Sequence, residues 1–305
     1  MKIIDKIADM VIEGLENGTV PWRRTWKGIF PMNAFSEREY KGFNIFYLSF
    51  VCDIKGYSFP MFGTYKQITD AGGNVKKGEK SYPVVYWKIT EEDDKSVPEE
   101  EHQTKKVKHF TPFYYNVFNL DQTDGIDIQK YTDTFSPKNN NSLNMCENII
   151  NGMPNAPHMV HDDSTRAFYK PLSDIVNVPE IKYFESSETY YATTFHELGH
   201  ATGHSSRLNR FKDNDSGFGR NSYDYEELVA EMTATLLCSH CGIEQTVENS
   251  VAYLTGWAKF LKEERKSTLF GAATKAQAAA NYILGKPVEN VQPEQAEENI
   301  KVAVF

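Results

Sequence analysis

The run Thr194-Phe195-His196-Glu197-Leu198-Gly199-His200-Ala201-Thr202-Gly203-His204 constrains this chain more than any other stretch. It contains His-Glu-x-x-His, and the chemistry lies in the spacing. On an α-helix, side chains four apart sit one above the other, so His196 and His200 can point their imidazoles at one ion. Glu197 projects beside them without having to ligate, where it can take a proton from a water whose pKa the metal has lowered. The pattern predicts a helix carrying two ligands for Zn2+ and a general base. Its flanks agree. Ser186 and Ser187 offer N-cap hydroxyls, Tyr191, Phe195, Leu198 and Thr202 repeat at helical spacing, and Gly203 is a natural stop.

A site of this kind needs a third protein ligand and an open fourth position. The metzincin pattern would put a histidine ten residues after the first, but that position is Ser206, and His204 comes at the wrong spacing. His204 is therefore expected at the helix end or behind a ligand. The alternative is a glutamate on a second helix, and Tyr225-Glu226-Glu227-Leu228-Val229-Ala230-Glu231 supplies three. Glu227 and Glu231 are four apart, so one can ligate while the other holds a ligand histidine by its free N–H. Glu227 is the expected ligand and Glu231 the supporting carboxylate, with Glu226 and Glu231 as the alternatives. This is similar to the gluzincin arrangement. Asp224 followed three residues later by Glu227 also reads as a helix cap. Tyr223 and Tyr225 lie near enough in sequence to donate to an oxyanion. Cys238-Ser-His-Cys241 has no second cysteine pair to complete a zinc site.

The remainder is long enough for two domains at 305 residues, and its 40% hydrophobic content is that of a globular chain. Charge is uneven. Residues 1–90 hold 13 Lys+Arg against 9 Asp+Glu, so the acidic excess behind a net charge of −9 lies wholly in the rest. That split suggests two surfaces with different partners. Four scattered cysteines, acids where a signal peptide needs an apolar run, and no membrane-length apolar stretch together predict a cytoplasmic protein.

The front part alternates aromatics and cations. Residues 3–16 form an expected amphipathic helix, followed by Trp22, Arg23, Arg24, Trp26 and Lys27, where indoles can stack on bases while cations track phosphates. A helix is expected after Gly42 within 39–51, and another over 64–71. Lys76, Lys77 and Lys80 make a basic turn into a strand over 82–88 that carries Trp87. A second aromatic strand covers 108–119, and the charge run 91–106 reads as the loop between them. Beyond a polar linker at 131–142, the pattern predicts a helix over 143–151 and a strand entered through 154–160. Short strands at 167–169 and 181–184 follow. The run from Arg210 to Ser222 reads as a polar rim of the cleft, and two further helices cover 248–265 and 271–284. An edge strand beside the cleft could hold an extended peptide.

Taken together, the chain resembles the ArdC-type antirestriction proteins of conjugative plasmids and transposons. The resemblance rests on Tyr40-Lys-Gly-Phe-Asn-Ile, on Lys77-Gly-Glu-Lys with Val85-Tyr-Trp-Lys, and on the run from Tyr115 to Gly125. It continues through His196 to His204, Tyr225 to Glu231, and Tyr253-Leu-Thr-Gly-Trp257. It implies a single-stranded-DNA-binding front domain, a zincin-like metallopeptidase domain, and protection of transferred DNA from host restriction. The departures are the charged insertion at 91–106 and a less basic composition.

The expected architecture is a two-domain α+β protein: a DNA-binding domain over 1–130 with a small antiparallel sheet, a linker, a gluzincin-type domain over 143–287, and an acidic tail over 288–305. The expected partners are single-stranded DNA and a protein or peptide substrate. The alternative is a single-strand-binding protein whose zinc site is structural or inactive.

Overall fold

The computed structural model describes residues 3–16, 30–93, 106–132, 142–161, 166–211, 220–243, 258–259, 261–262 and 267–288. Trp22, Arg23, Arg24, Trp26 and Lys27 lie outside them, as do the acidic tail and most of the expected 248–265 helix.

The front part is organised around a helix buried on all sides. α1 (Ile3–Glu16) turns Ile7, Val11, Ile12 and Leu15 inward, as its amphipathic spacing requires. Gly14 keeps that face flat. A Cβ there would meet the Phe50 ring at 2.2 Å, so the missing side chain is what seats α1 on α2 (Phe43–Lys55). Nine residues of α2 from Phe43 to Cys52 are buried, and Gly56, at φ 64, ends it by a left-handed turn.

Against α2 lies a five-stranded sheet of β1 (Met32–Asn33), β2 (Arg38–Glu39), β3 (Met61–Thr64), β5 (Tyr82–Asp93) and β6 (Lys106–Asn119), in the order β2-β1-β3-β6-β5. It is antiparallel except for the β1–β3 pair. α3 (Tyr65–Asp70) starts at a Thr64/Gln67 capping box, and β4 (Asn74–Val75) pairs with β7 (Thr123–Asp124) before α4 (Ile128–Thr132).

β5 and β6 run further into the expected loop than hydrophobicity alone foretells. Their backbone register continues through Glu91 opposite Lys108 to Asp93 opposite Lys106.

The second part begins with α5 (Ser142–Gly152). Three short strands follow: β8 (His158–Val160), β9 (Phe168–Lys170) and β10 (Ile175–Asn177). They form a sheet in the order β8-β10-β9, with β8 parallel and β9 antiparallel to the central strand. The segment expected as a strand at 181–184 is instead a 3-10 turn, Ile181–Tyr183, just after Pro179 and with both apolar side chains exposed.

α6 (Ser187–Ala201), α7 (Arg220–Cys241) and α8 (Ser267–Ile283) complete the fold. Ala272, Ala273, Ala276 and Ala280 are buried and let α8 approach α7 closely. Of the run expected as a polar rim, Arg210 is buried and residues 212–219 lie outside the described residues.

One apolar cluster runs through both parts. Phe43 of α2 and Phe270 of α8 meet with ring centroids 4.2 Å apart, and Glu16 of α1 pairs with Lys262. No helix among the described residues is long and apolar enough to cross a membrane.

Candidate metal centre

The histidine helix is fixed at its start by Ser186, whose Oγ accepts the Thr189 N–H at 3.1 Å. Its cleft face then carries His196 and His200, with Nε2 atoms 3.1 Å apart. Glu227 on α7 completes a triangle, its carboxylate 3.5 Å from His196 Nε2 and 3.4 Å from His200 Nε2. Ligands about 2.0–2.1 Å from one tetrahedral ion are separated by roughly 3.3 Å, so these three edges have the size of a tetrahedral face. Two imidazoles and a carboxylate form a donor set that fits a divalent metal, and no other such group of three occurs among the described residues.

The far nitrogen of His196 is also held. Its Nδ1 donates to Glu231 Oε2 at 3.2 Å, from a carboxylate only 2% exposed, and this leaves Nε2 free to ligate.

Both helices must approach closely for this to work. Gly199 lies between the histidines and Ala230 between the two glutamates. A Cβ on Gly199 would sit 3.1 Å from Ala230 Cα and 3.3 Å from its carbonyl oxygen. The contact fixes the rotational phase of α7 against α6. Glu226, one residue from Glu227 and so about 100° round the helix, points instead at Arg210. That guanidinium is buried, bonded to both oxygens of Glu226, to Thr202 Oγ1 at 2.6 Å, and to the Gly199 carbonyl at 2.9 Å. Asp224 sits inside α7, which begins four residues earlier, so the capping reading of Asp224 and Glu227 is replaced.

The charges respond to this packing. Burial disfavours a charged imidazole, but hydrogen bonds to Glu227 and Glu231, with the charges of Glu231 and Glu197, outweigh it and raise His196 to about 10. Burial likewise opposes the Glu227 anion, yet hydrogen bonds from both histidines hold its carboxyl well below the usual range. Glu197 goes the other way. Burial pushes its pKa up against the charges of His196 and His200, and the Tyr169 backbone N–H donates to its carboxylate. Tyr169 is the middle residue of the edge strand β9, so that strand runs along the cleft beside the base.

β9 is itself clamped to the end of α6. Arg207 donates to the Ala201 and Asn155 carbonyls and pairs with Asp174, while Tyr169 Oη donates to Asp174 at 2.8 Å. Arg207 and Arg210 were invisible from sequence, because only the folded chain brings them to Asp174 and Glu226.

The remaining expected residues lie elsewhere. His204 bonds Ser206 Oγ at 2.8 Å in the turn after α6, outside the triangle. Tyr225 lies under Lys275, whose Nζ is 5.0 Å from the ring centroid, and the Tyr223 side chain is outside the described residues. Cys238 and Cys241 are buried; burial drives the Cys238 thiol up, and a hydrogen bond with Cys146 raises Cys241. Lys76, Lys77 and Lys80 are exposed, with Lys76 Nζ donating to the Asp121 carbonyl at 2.9 Å. Trp87 is placed in β5 opposite Pro112, but its side chain is not among those described.

Two segments match known families. Residues 1–118 match the N-terminal domain of anti-restriction factor ArdC, and residues 148–275 match a zincin-like metallopeptidase. The metal-free crystal structure of the antirestriction ArdC protein from plasmid R388 superposes with a TM-score of 0.73 at 32% identity, over 93% of this chain and 97% of that one. Its Mn(II)-bound structure gives the same score and identity over 96% and 100%. A DNA primase TraC of Escherichia coli is 32% identical over 320 residues, 98% of this chain but 28% of the relative. A second TraC is 34% identical over 304 residues, 94% of this chain and 20% of that one. The chain thus spans about a quarter of these relatives' length.

Proposed function

This chain belongs to the ArdC antirestriction family, and we propose that it binds single-stranded DNA through its front part and carries a zinc peptidase site behind. In this reading it protects the entering DNA of a conjugating plasmid or transposon from host restriction, in the cytoplasm. The division into a DNA-binding domain over 1–130 and a metallopeptidase domain over 143–287 belongs to the same proposal. The observation that carries the peptidase reading is the triangle of His196, His200 and Glu227 with Glu197 beside it.

Zn2+ held by these three ligands supplies polarisation of a scissile carbonyl and acidification of a water. The chain's own groups do the rest. Glu231 fixes His196 in the tautomer that presents Nε2. The Glu197 carboxylate accepts a proton from the attacking water, and its raised affinity for protons suits it to pass that proton to the leaving amine. The Tyr169 N–H orients this carboxylate. Because a strand residue's N–H and C=O face the same side, the Tyr169 carbonyl also faces the cleft and can accept a peptide N–H by strand addition.

The test is Glu197→Gln in the full chain. Zinc content should stay at the wild-type level while hydrolysis of a casein-type substrate or of the protein itself disappears. Loss of zinc from this variant would remove Glu197 from the role of base, and unchanged hydrolysis would do the same. A wild-type protein that holds zinc but cleaves nothing would make the site structural.

A further inference from the structure

The β5–β6 hairpin leaves the core part-way along its length. Tyr82, Val84, Val85 and Val117 are buried at its base, where the Asn44 side chain bonds both the N–H and the carbonyl of Val85. Further out, burial stops while the aromatic sequence does not. Tyr86 is 61% exposed, Phe113 42% and Tyr115 50%.

Register puts these three rings on one face. Tyr86 is directly opposite Phe113, Val84 is opposite Tyr115, and Lys88 is opposite Thr111. Side chains alternate along a strand, so Tyr86 and Lys88 share a side with Thr111, Phe113 and Tyr115. Phe113 and Tyr115 are about 6.8 Å apart along β6, with Tyr86 across from the first.

We propose that this face, Tyr86, Phe113 and Tyr115 with Lys88, is the stacking platform for single-stranded nucleic acid; this rests on the reading that the chain binds single strands. Among the described side chains beyond the base, Lys88 and Thr111 flank the rings on this face, and exposed Lys80 lies two residues ahead of β5 at its base. A polyanion with unpaired bases meets that chemistry: rings accept base faces of any sequence, and the lysines lie along the phosphates. A second copy of the chain would bring the same cations against each other. The surface differs from the segment around Trp22 and from the basic turn, and exposure rather than composition singles it out.

The experiment is fluorescence anisotropy of a labelled oligothymidylate with the full chain across a salt series, with sedimentation velocity in parallel. Phe113→Ala and Tyr115→Ala should each weaken binding by about 5- to 150-fold and leave the slope of log affinity against log salt unchanged. Lys88→Ala should instead reduce that slope by about 0.7. Tyr115→Phe should bind like wild type and Tyr115→Leu should not, since stacking needs a ring and apolarity alone does not suffice. Wild-type binding with both alanine variants at full affinity overturns the platform and leaves the single-strand reading standing. No binding by the wild type overturns both. A wild-type dimer that the alanine variants dissociate makes the face a self-association surface and also overturns the proposal.

Discussion

Replacing Gly199 by alanine puts a methyl group where α6 and α7 touch. The new Cβ would lie 3.1 Å from Ala230 Cα, 3.3 Å from the Ala230 carbonyl oxygen and 3.3 Å from Thr233 Cβ. Carbon atoms rest about 3.5–4.0 Å apart, so the helices must separate by roughly half an ångström. Overpacking of this kind destabilises by about 1–3 kcal/mol, and alanine's better helix propensity returns about 1 kcal/mol. The net loss is therefore ~0–2 kcal/mol, or a Tm lower by no more than about 8 °C for a domain of this size. Metal binding should suffer more. Glu227 and Glu231 ride on α7, and a shift of half an ångström exceeds the tolerance of about 0.2 Å in metal–ligand distances. We expect zinc affinity to fall at least about tenfold, as after loss of an outer partner of a ligand. Competition against a chromophoric chelator reads the affinity, and differential scanning calorimetry reads the stability. Because the nearest obstructing atoms are backbone, adding Ala230→Gly should not restore the site. Unchanged zinc affinity in Gly199→Ala, or full rescue by Ala230→Gly, would refute the view that this contact sets the ligand geometry.

Other perturbations have separate signatures. Glu231→Ala leaves His196 Nδ1 without its acceptor and should lower zinc affinity by about 10- to 100-fold in a chelator competition, with the fold retained by circular dichroism. Metal must displace the proton that His196 holds with a pKa of about 10, so zinc affinity should rise with pH by up to about tenfold per unit below that value. The same shift has a stability consequence. A histidine whose folded pKa is raised from 6.5 to about 10 contributes stability below the lower value and loses it through the upper, so the metal-free protein's Tm should fall across that window. Arg210→Met strands Glu226 in a buried position and should destabilise by about 3–5 kcal/mol, whereas Arg210→Met with Glu226→Leu should recover much of it in urea unfolding.

His196, Glu197 and His200 were legible because their relation is local: helical periodicity alone aligns residues four apart. The choice among Glu226, Glu227 and Glu231 was not. All three lie on one helix, and only its phase against α6, set by Gly199 on Ala230, sends them to Arg210, to the imidazoles and to His196 Nδ1 respectively. β10 escaped notice, yet it is the central strand of its sheet. Ile181 and Tyr183 misled in the opposite sense, since apolar spacing counts for little where both side chains face solvent. The aromatic strands were read correctly as strands, but sequence could not tell their buried base from their exposed arm. Nor did it show that α2 and α8 share a core, which makes the full chain the object to assay rather than a front fragment.

The most direct test of the metal centre is anomalous diffraction from zinc-loaded crystals, recorded on both sides of the zinc absorption edge. The account predicts one strong peak about 2.0–2.2 Å from His196 Nε2, His200 Nε2 and a Glu227 oxygen, with Glu231 still on His196 Nδ1. A peak bonded to Glu231 in place of Glu227, or one at Cys238 and Cys241, would contradict it.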